Sequence, residues 1–147
     1  MAKFPIAYVD IRVFAHATED PDKVLTAVRN TLPAESIDTV IFRKSGLTGH
    51  HGNPITVFET RIKERAVAQS VFEKVSSGLS ILDKELLMNE IDQHLEKGNL
   101  FLRLNKQSAY LNKIKLDTID PIHFRIHFKK HTREEVLDIC RVFGLLP

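Results

Sequence analysis

The chain has 147 residues, of which 43% are hydrophobic and 27% are charged, and its formal net charge at pH 7 is +2. These values predict one folded domain over residues 1–147 and exclude low-complexity and collagen-like chains. The single cysteine, Cys140, excludes an intramolecular disulfide and a cysteine-rich zinc site, and no apolar run approaches the ~20 residues of a membrane span. We therefore expect a cytoplasmic protein with no membrane association.

The amino-terminal segment predicts a strand followed by a capped helix. Residues 6–16 alternate between apolar and polar side chains, which is the pattern of a strand with one buried face. Asp20 is a suitable N-cap for the next helix, and Pro21 suits its first position. Pro33 ends this helix.

Two short strands and a long loop between them are predicted next. The strands cover Thr39–Arg43 and about Ile55–Ile62, and the loop runs from Ser45 to Pro54. Three loop residues are glycines, which permit positive φ angles or close approach of the backbone to a ligand. Because long polar loops often carry function, we regard this one as a candidate site.

Two helices are predicted in the middle of the chain. An apolar stripe indicates a helix from Lys63 to Val75, with Gly78 as its carboxyl-terminal stop. A longer helix is predicted from Ser80 to Gly98. Its apolar face consists of Leu82, Leu86, Leu87, Ile91 and Leu95.

The remaining elements decide the fold class. Strands are predicted at Leu100–Leu104 and Ile122–Lys129, with a polar connection between them, and Thr132 with Glu135 forms a capping box for a last helix. The order β-α-β-β-α-α-β-β-α does not alternate regularly, which disfavours a parallel doubly wound sheet. We predict an α+β fold with a mostly antiparallel sheet and helices packed on one face.

Charge is distributed unevenly along the chain. Residues 99–131 carry a net charge of +5, residues 39–58 carry +2, and residues 76–98 carry −3. If the two basic segments share one surface, the protein has a basic side that suits a polyanion. The alternative is a solvated surface without a partner.

Every second residue of the last predicted strand is basic. These residues are His123, Arg125, His127 and Lys129. They would stand about 6.6–7 Å apart on the face opposite the helices, and such a row can follow the backbone of a nucleic acid. The alternative is the ordinary polar face of an antiparallel sheet.

Two other segments are candidates for contacts with a nucleic acid. In the loop, His50, His51 and Asn53 follow the cations Arg43 and Lys44, which suits a phosphate or a ribose. A structural turn is the main alternative, and a zinc site would need further ligands from elsewhere. The segment Arg103–Tyr110 supplies phosphate-binding cations together with an amide and a ring that can stack on a base. Tyr110 packed against the core is an equally good reading.

Catalytic motifs are missing from the sequence. It contains no G-x-S-x-G, no phosphate-binding P-loop and no H-E-x-x-H. Cys140 falls on the apolar stripe of the last predicted helix, so we interpret it as a buried core thiol. We predict that the protein is not an enzyme and needs no metal or cofactor.

Three stretches together resemble a known family. They are Val13–Asp20, Leu47–Ile55 with its Gly-His-His-Gly-Asn-Pro run, and Leu102–Tyr110. They are similar to small archaeal proteins described as RNA-binding or as predicted exosome subunits, formerly a domain of unknown function. The resemblance implies a fold like that of ribosomal protein L5, a cytoplasmic archaeal protein, and a link to exosome or ribonuclease P components.

These observations lead to one leading hypothesis, a non-catalytic RNA-binding protein that is accessory to RNA processing or degradation. The residues predicted to contact RNA are Arg43, Lys44, His50, His51, Asn53, Arg103, Lys106, Gln107, Tyr110, Arg125 and His127. One alternative is a protein-docking subunit of an RNA-processing complex. Another is a histidine-dependent, metal-assisted phosphodiesterase. An exposed edge strand would also permit a homodimer.

Overall fold

A computed structural model describes residues 4–49, 51–129 and 132–147 of the chain. Within these residues six strands form one antiparallel sheet in the order β2-β3-β1-β6-β5-β4. The strands are β1 (Ile6–Ala15), β2 (Arg43–Thr48), β3 (Pro54–Ile62), β4 (Leu95–Glu96), β5 (Asn99–Leu104) and β6 (Ile122–Phe128). The helices are α1 (Pro21–Arg29), α2 (Arg65–Gly78), α3 (Ile81–Asn89), α4 (Ile91–His94), α5 (Lys106–Tyr110) and α6 (Arg133–Val142), with a 3-10 turn at Ala34–Ser36.

The alternating residues of the two central strands determine which face of the sheet the helices cover. In β6 every second residue from Ile122 to Phe128 is buried, and β1 buries Val9, Ile11 and Val13 in the same way. These side chains form one core with the apolar faces of the helices. The predicted α+β class, with helices on one face of an antiparallel sheet, is confirmed.

Two helix starts follow the predicted capping chemistry. The Asp20 carboxylate accepts a hydrogen bond from the backbone N–H of Asp22 at 2.9 Å. The Thr132 hydroxyl accepts one from the N–H of Glu135 at 3.2 Å. Each cap satisfies a backbone donor that has no partner inside the helix.

Cys140 is fully buried, and burial raises the pKa of its thiol to about 12.

The prediction of a strand at Thr39–Arg43 is wrong. The N–H groups of Thr39 and Val40 both donate to the carbonyl of Ser36, so the run begins in a turn, and residues 40–42 have no regular secondary structure. Strand β2 begins at Arg43 and continues through the predicted loop as far as Thr48, which pairs with Pro54. A short apolar run does not distinguish a strand from a turn by its pattern alone.

The single helix predicted from Ser80 to Gly98 is also wrong. It breaks at Glu90, and the chain then forms a small hairpin from β4 to β5. Its two turn residues, Lys97 and Gly98, have φ angles of 50° and 81°, which a right-handed helix does not allow. Two leucines of the predicted apolar face, Leu82 and Leu86, are exposed.

The polar connection after β5 contains the short helix α5, which the sequence did not predict. Its N-cap is Asn105, whose side-chain oxygen accepts a hydrogen bond from the N–H of Ser108. None of the helices in the described part of the chain is long and apolar enough to cross a membrane.

Candidate nucleic-acid interface

The sheet face opposite the helices is called the open face below. Its polar and aromatic side chains come from five neighbouring strands. They include Tyr8, Asp10, Arg12, Phe14, Arg43, Glu59, Arg61, Phe101, Arg103, His123, Arg125 and His127. Five of these residues are arginines and two are carboxylates, so this face is basic.

The strand register aligns several of these residues across the sheet. Arg43 is opposite Glu59, Glu59 is opposite Arg12, Arg12 is opposite His123, and His123 is opposite Arg103. We call these five residues the cross-strand row. Because neighbouring strands are about 4.8 Å apart, Arg12 lies about 10 Å from both Arg43 and Arg103 along this row.

The arginines of the cross-strand row differ in their partners. Arg12 and Arg103 are exposed and make no ion pair with any residue that the structure describes. Arg43 donates to the Glu59 carboxylate, but its side chain is 75% exposed. Since exposed ion pairs contribute little free energy, this contact does not prevent Arg43 from meeting a phosphate.

A carboxylate organises the next row of the open face. Asp10 accepts hydrogen bonds from Arg61 at 2.7 and 3.0 Å and from Arg125 on the other side. Burial raises the pKa of Asp10, but the hydrogen bonds from the two arginines outweigh it and hold the pKa below its ordinary value. Asp10 therefore stays ionised and holds both guanidinium groups beside it through charge-assisted hydrogen bonds.

His123 lies in the cross-strand row between two cations. Burial lowers the pKa of His123, and the charges of Arg12 and Arg103 lower it further. Its ring meets the Phe14 ring edge-on, with centroids 6.2 Å apart. The imidazole is therefore neutral at pH 7 and leaves the two arginines as the local charges.

The open face is concave. A trough of about 890 Å³ runs across it, with walls and floor from β1, β2, β3, β5 and β6 and from the segment just before β2. Arg12, Arg103, Arg125 and Phe101 all line the trough. Several cations thus surround one continuous volume, which is an arrangement that concentrates a polyanion.

The structure places four of the predicted RNA contacts on this face. They are Arg43, Arg103, Arg125 and His127. Lys44 is exposed on the edge strand β2 and, being opposite Phe58, belongs to the other face. His127 stacks on Tyr8 with ring centroids 4.7 Å apart, and its Nδ1 lies 2.8 Å from the Asn99 side-chain oxygen.

The glycine-histidine loop is shorter than predicted because β2 extends into it. It is a tight turn in which the N–H of Gly52 donates to the carbonyl of Gly49 at 3.0 Å, and Gly52 has a φ of 79°. His51 and Asn53 are exposed in this turn, while His50 lies outside the described residues. The hairpin carries its turn beyond β1, whose last pair with β3 is Ala15 with Thr56.

The Lys106 side chain is largely buried and bonds to groups of the protein. Its ammonium donates to Glu19 at 3.1 Å, to Asp120 at 2.7 Å and to the carbonyl of Phe14, and its side chain is only 12% exposed. Burial raises the pKa of Asp120, but hydrogen bonds from Lys106 and His16 keep it below its ordinary value. The ammonium is thus already neutralised, and we do not place it at a phosphate.

The same network contains three possible metal ligands. Ligand atoms of His16, Glu19 and Asp120 all lie within 4.8 Å of one another. Lys106 bonds to both carboxylates of this group, and His16 Nε2 lies 3.0 Å from Asp120 Oδ1. Because the Lys106 ammonium already bonds to both carboxylates, the donor set does not favour a metal ion.

Gln107 and Tyr110 are separate from the open face. They lie on α5, which packs against α1, and both are exposed. The Asn30 side chain of the segment after α1 donates to the carbonyls of Ala109 and Tyr110. Neither Gln107 nor Tyr110 lines the trough.

Sequence reasoning missed Arg12, Arg61 and Phe101 as candidate site residues. The alternation of residues 6–16 already put Arg12 on the polar face of its strand. That β1 is the neighbour of both β3 and β6 could not be read from the sequence, because strand order depends on contacts between distant segments.

Comparisons with known proteins agree with the predicted resemblance. A family model described as RNA binding matches residues 8–128. The RNA-binding protein PAB1135 of Pyrococcus abyssi is 37% identical over 124 residues, which cover 82% of this chain and 80% of that protein.

Solved archaeal structures of a family called DUF54 share the fold. Mth689 of Methanothermobacter thermautotrophicus is 27% identical with a TM-score of 0.74, and the match covers 97% of this chain and 98% of that one. AF2318 of Archaeoglobus fulgidus is 25% identical with a TM-score of 0.78, over 94% of this chain and 99% of that one.

Proposed function

Because this chain belongs to the archaeal RNA-binding family, also called DUF54, we propose that it binds RNA on its open face and catalyses no reaction. The observation that carries this proposal is the pair of exposed arginines, Arg12 and Arg103, on either side of a neutral His123 in the trough. Two uncompensated cations on a concave face favour a ligand with repeated negative charges.

Phosphate contacts would come from several strands. Arg12 and Arg103 form no ion pair with a described residue and are fully available to phosphates. Arg43 is available because its exposed ion pair with Glu59 is weak. Arg125 is less available because it pairs with Asp10. Most contacts between proteins and nucleic acids go to the phosphates and fix position without reading sequence. The open face is suited to such contacts.

The β2–β3 hairpin would form a rim beside this surface. Its turn carries exposed His51 and Asn53, and Lys44 lies on its outer edge. These side chains offer hydrogen bonds to ribose or phosphate oxygens. We propose that the hairpin contributes to affinity less than the cross-strand row does, because it supplies fewer charges.

A salt titration of RNA affinity tests the proposal. Replacing Arg12→Gln and Arg103→Gln together should reduce the slope of log K against log salt concentration by about 0.7–0.9 for each lost phosphate contact. Arg29→Gln is the matched control, because Arg29 is exposed on α1 and makes no ion pair with a described residue. Unchanged slopes in the double variant, with RNA still bound, would contradict the proposal.

We also propose that the protein accompanies RNA-processing or RNA-degrading enzymes, such as components of the exosome or of ribonuclease P. This part rests on the family resemblance of the Gly-His-His-Gly-Asn-Pro and Lys-Gln-Ser-Ala-Tyr segments. Affinity purification from an archaeal lysate, with and without nuclease, tests it. Recovery of such components is the expected result, and their complete absence in both samples would contradict it.

A further inference from the structure

We propose that the open face binds single-stranded RNA, with an unpaired base stacked on the ring of Phe101. This inference rests on the proposed function and deepens it, because it names the class of RNA and the residue that recognises it. Two observations support it. Of the Tyr and Phe rings on the open face, Phe101 is the one without a ring or cation partner among the described residues, and arginines lie on both sides of it.

Two of the three rings already have partners. Tyr8 lies between the His127 ring, with centroids 4.7 Å apart, and the Arg61 guanidinium, 4.1 Å from its centroid. Phe14 has the Arg12 guanidinium 5.5 Å from its centroid and the His123 ring against its edge. A base could stack on Tyr8 only by displacing one of these groups.

The third ring, Phe101, is left open. It is half-buried in β5, lines the trough, and makes no ring or cation contact with the part of the chain that the structure describes. The half-buried ring of Phe101 therefore offers an uncovered apolar surface within a trough lined mainly by charged and polar side chains. The flat face of a nucleobase is of suitable shape and chemistry.

Cations are arranged around Phe101 as a nucleotide would require. Arg103 is two residues further along the same strand and therefore on the same face, about 7 Å away. Arg125 is directly opposite Phe101 on β6. A base on the Phe101 ring would thus have its own phosphate within reach of Arg103, and the next phosphate could reach Arg12 across the row.

Stacking on Phe101 selects for an unpaired base. In a double helix both faces of each base are covered by neighbouring base pairs, so a protein ring has no base face to contact. Unstacked bases in single strands and loops are the ones that aromatic side chains bind. The concave trough also suits one flexible strand better than the convex surface of a rigid duplex.

Fluorescence anisotropy with two labelled RNAs tests this inference. One is an unstructured single strand of about 12 nucleotides, within the site size of single-strand binders, and the other is a duplex that contains the same sequence. The intact protein should bind the single strand at least tenfold more tightly. Phe101→Leu should weaken binding of the single strand about tenfold, which is within the range measured for one lost stacking contact, and should leave duplex binding unchanged.

Two variants serve as controls. Phe101→Tyr keeps a ring and should retain affinity. Phe143→Leu makes the same chemical change at a residue that packs against Phe72 in the core, with centroids 5.3 Å apart, and should leave RNA binding unchanged. A thermal melt of each variant confirms that it is folded.

Several outcomes would overturn the inference. They are duplex binding as tight as single-strand binding, unchanged affinity in Phe101→Leu, or an equal loss for both RNAs. The proposed function is judged separately. If Arg12→Gln with Arg103→Gln still weakens binding in these cases, RNA binding on the open face stands and only base stacking fails.

Discussion

At the scale of single residues, the open face combines arginines that pair with a carboxylate and arginines that form no ion pair with any described residue. Asp10 fixes Arg61 and Arg125, while Arg12 and Arg103 have only His123 between them. Arginines on this face therefore have two roles, one in holding the sheet surface together and one in being available to a ligand. The ion pairs of each arginine distinguish these roles, whereas its exposure alone does not.

His123 gives the binding of RNA a dependence on pH. Burial lowers its pKa in the free protein, and Arg12 and Arg103 lower it further, with Lys106 in the same sense and Asp120 opposing them. A phosphate between the arginines would compensate their charges and raise that pKa. Binding should then take up a proton, so affinity increases as the pH falls and levels off below the pKa of the free protein.

The variant His123→Gln should lose this part of the pH dependence and keep its affinity at pH 8. The gain at low pH is about tenfold for a pKa difference of one between the free and bound states. Anisotropy titrations of both proteins from pH 8 down to pH 5.5 provide the measurement. Identical pH profiles would show that no phosphate lies at His123.

The stability of the free protein should change with pH in the opposite direction. The folded-state pKa of His123 is lower than the unfolded value of about 6.5. The unfolded chain therefore binds more protons in this range, and the contribution of His123 lowers stability as the pH falls below about 6.5.

At the scale of elements, the predictable parts were those whose pattern is local. Strands β1 and β6 follow from strict alternation, and α1 and α6 follow from their caps. The strand at Thr39–Arg43 and the helix from Ser80 to Gly98 were wrong because pairing with the next strand along the chain, which the pattern of a single segment does not show, decided the outcome. In both places a hairpin partner, β3 or β5, determines where the strand lies.

Gly78 shows how packing adds to a local signal. The sequence indicated this glycine as a helix stop, and α2 does end there. The structure adds a second reason, because a Cβ at this position would lie 2.6 Å from the Cγ1 atom of Ile114. Only glycine lets the segment after α5 pack against the end of α2.

The variant Gly78→Ala should therefore lower the free energy of unfolding by about 1–3 kcal/mol, as overpacking of a core does. Gly46→Ala in β2 is the control, because nothing lies within 4 Å of the added Cβ and its φ is not positive. It should change stability by less than about 0.5 kcal/mol. Urea unfolding of the two variants compares them, and equal stabilities would contradict the close packing of Ile114.

At the scale of the whole molecule, segments far apart in sequence meet at the open face, which we propose binds RNA, and at the Lys106 network, which stabilises the fold. The open face gathers five strands into one basic surface. Lys106, by contrast, ties α5 to the end of β1 and to the segment before β6, through Phe14, Glu19 and Asp120. The net charge of +5 over residues 99–131 includes Arg103 and Arg125 on the open face as well as Lys106. A sum of charges does not show which of these cations face the solvent and which are paired inside the protein.

Replacing Lys106→Met should destabilise the fold and leave RNA affinity unchanged. The substitution leaves the carboxylates of Glu19 and Asp120 without their cation. Because both carboxylates are about one-third exposed, the cost lies between that of a surface pair and that of a buried pair, about 1–3 kcal/mol. Thermal unfolding gives the first quantity, and anisotropy at a temperature where both proteins are folded gives the second. A loss of RNA affinity without a loss of stability would contradict this prediction and would indicate that Lys106 contacts a phosphate.

We propose that RNA lies on the open face of the sheet. Titration of the isotope-labelled protein with unlabelled single-stranded RNA, followed by amide and arginine side-chain NMR signals, tests it most directly. The largest shifts should cluster at Arg12, Phe101, Arg103 and His123, with smaller ones at the β2–β3 turn. Shifts confined to α3, α6 or α5 would contradict it.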